Sequence, residues 1–419
     1  MSHTVEILSV GTELLLGSIA NTDAQMLSQG LSELGLNVYW HTVVGDNPDR
    51  ARRAVELARS RADIIITTGG LGPTCDDLTK NVLAEAFGKQ LVFHEPSAQR
   101  IRAYFERTKR PMPESNLQQA MLPEGCTVLE NDWGTAPGCA FEADGTYVIM
   151  LPGPPSECRP MFHYRAKPWL QALSEGVIAS HTLKLFGIGE SAMEAQLRER
   201  MNTMSNPTLA PYAKEGECEL RVTAKADTDE RAQALLGPVV DEVRALFGSK
   251  VYGVDVKSLE QVVQTLLEEK GMTVGVAESI TGGLIAKRLT DLPGVSRVFK
   301  GGIVSYTNQI KQDVLGVPGA LLDEHGAVSA PVAAAMAEGA RRVLGVDVAL
   351  AATGVAGPDR DDRGNEVGTA FVAIATAEGS YVRALRLGNR PMRDRLRTQT
   401  AHHAFDLARR YLAGLPYEG

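Results

Sequence analysis

Asp63-Ile-Ile-Ile-Thr-Thr-Gly-Gly-Leu-Gly-Pro-Thr-Cys-Asp-Asp-Leu-Thr79 is the stretch whose reading decides the fold. It opens as an apolar, β-branched run, the mark of a parallel strand buried on both faces. Glycines follow at once, and then a helix-forming segment expected over Asp76 to Phe87. Working outward, the same alternation recurs. Val5 to Val10 reads as a strand, Asp23 to Leu34 as a helix, Val38 to Val44 as a strand and Pro48 to Arg59 as a helix. Tyr147 to Leu151 is another buried strand, closed by the rigid loop Pro152-Gly-Pro-Pro155. Strands alternating with helices imply βαβ units around a parallel sheet, an α/β fold.

That geometry carries a chemical expectation. A strand running through glycines into a helix presents free backbone N–H groups at the carboxyl edge of the sheet, where ligands of open α/β sheets bind. Phosphate is the natural guest, cradled by Gly70, Gly72 and Thr74. Asp76 and Asp77 would repel it unless a divalent cation bridges them. The plainer alternative makes Asp76 an N-cap and Asp77 a first-turn acid. Gly11-Thr12-Glu13, after the first strand, and Pro152 to Glu157, after the later one, are placed to converge on the same edge, with Glu13 ahead of Glu157 as a metal ligand.

Near residue 175 the texture changes. Thr182 to Phe186, Leu209 to Ala213 and Glu219 to Ala224 read as strands, with helices over Glu190 to Met201 and Asp229 to Phe247. These make a small α+β unit. The expected domains are 1–175, 176–252 and 253–419. In the last, a helix over Leu259 to Glu269 and a strand over Thr273 to Val276 lead into Ala277-Glu-Ser-Ile-Thr-Gly-Gly283. Ser279 at a strand-to-helix turn combines a hydroxyl nucleophile with nearby amide donors. Alternatively Ser279 and Thr281 cap the helix through Gly282. A nucleophilic Ser needs a base, and no His is well placed. Gly301-Gly-Ile-Val-Ser-Tyr306-Thr-Asn-Gln-Ile-Lys311 offers Lys311, a base once desolvation depresses its pKa, with Tyr306 to relay or orient the proton. Thr353-Gly354 ends another buried strand. Arg390, Arg393, Arg395 and Arg397 gather near the start of the terminal helix, where one or two would hold a phosphate and the others face solvent.

Gly11-Thr-Glu-Leu-Leu-Leu-Gly17, Thr68 to Thr79, Asn131-Asp-Trp-Gly-Thr-Ala-Pro-Gly138 and Leu151 to Glu157 resemble the N-terminal domain of the CinA family. Ala277 to Gly283, Gly301 to Lys311, Gly326-Ala-Val-Ser329 and Thr353 to Asp359 resemble its C-terminal domain. The resemblance implies a three-layer αβα domain of the MoaB/Mog molybdopterin-binding type, a KH-like connector and a C-terminal amidase domain. It implies two activities. The first is metal-dependent ADP-ribose pyrophosphatase, with a divalent metal (Mg, Mn or Co) on Glu13, Asp76 and Asp77. The second is deamidation of nicotinamide mononucleotide, needing no cofactor, with Ser279 as nucleophile, Tyr306 and Lys311 as assistants, and Thr281, Gly282, Gly283, Thr353, Gly354 and Arg390 near the substrate. A homodimer is implied as well. Three stretches depart from the family pattern: Asn21-Thr-Asp23 for Asn-Thr-Asn, Arg360 to Gly368 for a Gly-rich segment with Lys-Pro-Val-Gly, and Gly388-Asn-Arg390 for Gly-Asp-Arg.

Bulk properties fit this reading. The chain has 419 residues, 44% hydrophobic and 22% charged, which suits a globular protein of two or three domains. No run is apolar enough to span a bilayer and no signal segment opens the chain, so a cytoplasmic place is expected. Five cysteines without Cys-x-x-Cys support neither a disulfide framework nor a zinc ribbon. Residues 251–419 are neutral, so the formal charge of −8 lies entirely in the first 250. An acidic N-terminal half, and a connector with Gly187-Ile-Gly189 where a nucleic-acid-gripping KH module has Gly-x-x-Gly, count against direct DNA contact. A competence-linked or DNA-processing partner protein and a molybdopterin-binding protein are the competing readings.

Overall fold

The computed structural model describes residues 3–74, 76–172, 176–214, 216–388 and 392–418. The chain forms two compact units, Met1–Ala179 with Lys225–Ala232, and Ser180–Ala224 with Gln233–Gly419.

In the first unit, β1 (Thr4–Val10), β2 (Asn37–Val44), β3 (Ile64–Thr68), β6 (Thr127–Leu129), β7 (Gly138–Ala143) and β8 (Thr146–Leu151) form one sheet in the order β2-β1-β3-β8-β7-β6, while β4 (Leu91–Phe93) and β5 (Met121–Pro123) pair separately. β2, β1, β3 and β8 run parallel; β7 and β6 add an antiparallel edge. Every residue of β3 is buried, with Ile64 and Ile66 facing one hydrophobic layer and Ile65 the other. Each such side chain contributes about 1.5–3 kcal/mol through burial. The helices Thr22–Glu33 and Pro155–Met161 cover the first face, and Pro48–Arg59 and Thr79–Ala86 the second.

Two local expectations are corrected. The helix after β3 starts at Thr79 rather than Asp76, with Leu78 at its N-cap position and no side-chain cap. The Asp77 amide donates to the Thr74 carbonyl (3.1 Å), and its carboxylate accepts from the Thr74 amide (2.8 Å) and hydroxyl (2.5 Å). Thr74 and Asp77 are thus held to each other before the helix begins. The β6–β7 edge and the helix Glu95–Thr108 had no counterpart in the sequence reading.

The second unit holds two sheets. β9 (Val177–Leu185), β10 (Thr208–Lys214), β11 (Glu217–Ala226) and β12 (Val251–Val254) are ordered β10-β11-β9-β12. β13 (Val274–Glu278), β14 (Phe299–Val304), β15 (Val348–Gly354), β16 (Thr369–Thr376) and β17 (Gly379–Arg386) are ordered β14-β13-β15-β16-β17, the first three parallel and the last two antiparallel. Helices Leu259–Lys270, Leu284–Thr290 and Arg393–Leu412 pack on one face of the larger sheet and Ala330–Leu344 on the other. Gly275 permits the second contact, because a Cβ there would lie 2.5 Å from Leu344 Cδ1. Among the described residues no helix is long and apolar enough to cross a membrane, and the four described cysteines, Cys126, Cys139, Cys158 and Cys218, are free.

Candidate active site

The chain enters β13, crosses to β14 on one side and then to β15 on the other. The carboxyl end of β13 is therefore a topological switch point, where the two flanking loops diverge and leave a crevice. Ser279 is the first residue past that end, and its amide donates to Ala352 O (2.9 Å). Lys311, in the helix Asn308–Asp313 after β14, is 1% exposed. Its Nζ lies 3.3 Å from Ser279 Oγ and donates to the Ser305 carbonyl at 2.8 Å. Burial alone lowers the Lys311 ammonium to about 8. The hydroxyl and the amine named from sequence thus stand together.

The turn between them is fixed by a residue the sequence reading passed over. Glu278 is fully buried. Its carboxylate accepts from the amides of Gly283 (3.0 Å), Ile285 (3.0 Å) and Ala286 (2.8 Å). It therefore satisfies the open donors at the start of the helix Leu284–Thr290. This corrects two expectations. Neither Ser279 nor Thr281 caps that helix, and the helix-start amides are not free for an oxyanion. With Gly282 N bonded to Ser279 O and Leu284 N to Thr281 O, the amides of Ile280 and Thr281 are the turn's donors without an acceptor among the described residues. The Thr281 and Ser305 hydroxyls are buried there without partners among the described residues.

The other expected residues surround this centre in different ways. Tyr306 is 60% exposed, and its hydroxyl accepts from Arg393 Nη2 (2.9 Å) rather than bonding Ser279 or Lys311. Arg393 also donates to Gly357 O (2.7 Å), and Arg397 donates twice to Thr281 O (3.2 and 2.9 Å). Two of the clustered arginines thus hold loops. Gly282 and Gly283 have φ of 58° and 95°, which favours glycine. Thr353 is buried and donates to Ala327 O (2.8 Å), anchoring the Gly326–Ser329 loop. Gly354 is small for packing, since a Cβ there would sit 2.8 Å from Ile280 Cδ1. Arg390 lies outside the described residues.

The first unit has a second crevice at its own switch point, where β2 and β3 flank β1. A cavity of about 530 Å³ is lined there by Gly11, Glu13, Gly70, Gly72, Thr74, Asp76, Asp77, Pro152 to Pro155 and Glu157. The separated sequence motifs thus meet. Backbones approach closely: a Cβ on Gly69 would lie 2.2 Å from Val10 O, and one on Gly153 would lie 3.2 Å from Gly69 Cα. Asp76 is exposed. Glu157 accepts from Asn131 Nδ2 (2.6 Å), a structural bond. Asp46, unforeseen, takes the Thr12 amide (2.9 Å) and lines the cavity. Among the described residues no three acidic, His or Cys side chains gather closely enough to cage a metal. Glu13, Asp76 and Asp77 line the cavity without forming a ready cluster.

Residues 6–172 match the family described as the probable molybdopterin binding domain, 180–253 the damage-inducible protein CinA KH domain, and 256–412 the CinA C-terminal domain. A CinA-like protein of Dictyoglomus turgidum is 49% identical over 410 residues, covering 98% of this chain and 99% of the relative. One from Kosmotoga olearia is 45% identical over 410 residues, with 98% and 99% covered. The chain belongs to the CinA family. Among solved structures, the competence/damage inducible protein CihA from Agrobacterium tumefaciens is 37% identical, covering 35% of this chain and 90% of that one, with a TM-score of 0.34. The MoaB-like first domain, the KH connector and the CinA domain are thus the three parts expected from the motifs.

Glu278 could have been found in the sequence. An acid that ends a buried parallel strand five residues before a Gly at a helix start has few places to go except back onto that helix. Arg393 and Arg397 were named, but their acceptors, two loop carbonyls and the Tyr306 hydroxyl, lie far along the chain, which no spacing reveals. In the Arg360 to Gly368 departure Asp361 takes the Arg363 and Asn365 amides (3.1 and 2.7 Å), while Arg363 and Asn365 donate outward to the Asp323 and Val328 carbonyls.

Proposed function

We propose that the CinA domain of this chain hydrolyses the carboxamide of nicotinamide mononucleotide. The observation that carries this reading is Ser279 Oγ 3.3 Å from a buried amine, Lys311 Nζ, whose proton is held weakly. Neutral Lys311 keeps one N–H on the Ser305 carbonyl and uses its lone pair to take the Ser279 proton. Ser279 Oγ bonds to the carboxamide carbon, and the amides of Ile280 and Thr281 receive the developing oxyanion. The C–N bond breaks as Lys311 passes its proton to the leaving nitrogen, releasing ammonia. Water then attacks the acyl-Ser279 ester, Lys311 takes its proton, and that proton returns to Ser279 as the acid leaves. Tyr306 and Arg393 stand at the exposed side, where a substrate phosphate would meet the guanidinium. Ser279→Ala lowers ammonia release at least about a thousandfold. Retention of the parent rate would refute the assignment.

The first-unit cavity supports a second activity, cleavage of ADP-ribose at its pyrophosphate, because glycine loops and acids line it together. The donors suit a metal of the Mg²⁺ kind, which takes one or two carboxylates and completes its shell with phosphate oxygens and water. Asp76 and Glu13 have carboxylates to offer, while Asp77 is tied to Thr74. Such a metal supplies charge neutralisation at the phosphates. The chain's own part is to seat the phosphates on the Gly69 to Gly72 backbone.

A further inference from the structure

Beneath the connector lies a cavity that neither proposed activity uses. Its volume is about 280 Å³, close to the ~300 Å³ lower end of small-ligand pockets. Phe186 to Glu190, with Lys214, Gly216, Glu217 and Cys218, form its connector side, and Gln399 and His403 of the helix Arg393–Leu412 form its floor. Gln399 and His403 are four residues apart and so share a helix face. Gln399 Oε1 and His403 Nδ1 are both buried and without a hydrogen-bond partner among the described residues. The neighbouring His402 is 5% exposed, and its Nδ1 stands 2.9 Å from where a Cβ on the cavity residue Gly216 would be. Buried polar atoms are nearly always paired, so two orphans on one wall of a cavity indicate something that pairs with them.

The chemistry of the lining narrows the occupant. Burial holds the His403 ring neutral down to about pH 4, so it presents a donor or an acceptor without charge. A glutamine amide pairs with adenine through two bonds, accepting from the exocyclic amine and donating to the adjacent ring nitrogen. Phe186, 6% exposed and edge-on to His403 at 4.9 Å between ring centroids, supplies an apolar aromatic wall for a flat base. Gly187 and Gly189 leave the opposite side open, since a Cβ at either would meet nothing. We propose that this cavity binds an adenine-type base, read by Gln399 and His403. Its floor is the helix whose Arg397 holds the Thr281 carbonyl, so an occupant bears on the element that fixes the nucleophile turn.

The test is calorimetric titration of the full chain with adenosine and with AMP. Adenosine is expected to bind, and Gln399→Leu and His403→Phe each weaken it about tenfold or more, the loss of one good hydrogen bond. Thermal midpoints within a few degrees of the parent show that both variants fold. AMP binding more tightly than adenosine, with the same losses in both variants, also supports the site and adds a phosphate contact. The proposal is overturned if neither compound gives a binding heat. It is equally overturned if binding persists unchanged in both variants, which would place the base in the strand-end cavity of the first unit. None of these readings depends on whether Ser279 is an amidase nucleophile.

Discussion

The two candidate sites sit at the same topological place and use acids in opposite ways. Each lies at the carboxyl end of the strand that opens its sheet, between the two parallel neighbours that follow it, β2 and β3 around β1 and β14 and β15 around β13. In the CinA domain the strand ends in Glu278, whose carboxylate is fully buried and taken up by three amides. In the first unit the strand β1 ends in Val10-Gly11, and the acids Glu13, Asp46, Asp76 and Asp77 line an open cavity. A carboxylate whose lone pairs are satisfied from within builds a rigid turn, beside which Ser279 and Lys311 are the proposed reactive pair. Glu13 and Asp76, left facing solvent beside a glycine backbone, await something from outside. Strand order chooses where a site forms, and the first residues past the strand choose which kind.

The sharpest way to break that contrast is Lys311→Met. Ammonia release falls by about a hundredfold or more, the scale of a lost general base, while ADP-ribose cleavage is untouched. In the parent, kcat/KM rises with pH and levels off above about 8, as Lys311 becomes neutral. The variant loses that limb. The sign for stability follows from the same group. Its folded pKa lies below the unfolded value of about 10.4, so between about pH 8 and 10.4 the unfolded chain binds more protons. The parent therefore gains stability relative to Lys311→Met as pH rises through that window. Denaturant titrations at pH 7 and pH 10 measure this, and no change would contradict a desolvated amine.

A paired substitution tests the acids. Glu278→Gln puts an NH₂ against amides that need an acceptor. Both kcat, by about a hundredfold, and stability, by about 2–4 kcal/mol, are expected to fall. Asp76→Asn removes charge from an exposed acid that lines the first-unit cavity. It costs less than about 1 kcal/mol and leaves ammonia release alone, while weakening ADP-ribose turnover. Equal stability losses in the two variants would erase the distinction between architecture and ligand-facing acid.

Most of the fold was legible because its signals are local. The run Ile64-Ile-Ile announces a strand buried on both faces, and the helix Pro48–Arg59 follows directly from its pattern. The antiparallel edge β6–β7 was not, because strands of three and six residues there carry too little periodicity to stand out. In the sites, Ser279 and Lys311 were named from a turn and a spacing, and the fold brings them to 3.3 Å. Asp76 as a helix cap failed because Thr74 holds the adjacent Asp77 before the helix begins. Arg397 on Thr281 O joins residues 116 apart, a contact set by tertiary packing alone.

Tyr306 offers the finest division within the CinA site. Its hydroxyl rests on Arg393, which also holds Gly357 O, so the ring is tied to the loop side of the crevice rather than to the amine. If it acts by keeping Arg393 and that loop in place, Tyr306→Phe lowers kcat/KM only about fivefold to tenfold. That loss is the scale of one hydrogen bond, appears mainly in KM, and leaves the pH limb near 8 intact. Arg393→Ala then reproduces or exceeds it, because the guanidinium makes both contacts. If Tyr306 instead relays the Ser279 proton, Tyr306→Phe costs about a hundredfold in kcat and Arg393→Ala costs little. Steady-state kinetics on the two variants, with the KM and kcat changes separated, decide between a tyrosine that positions and one that carries a proton. The Arg393 contact commits the structure to the first.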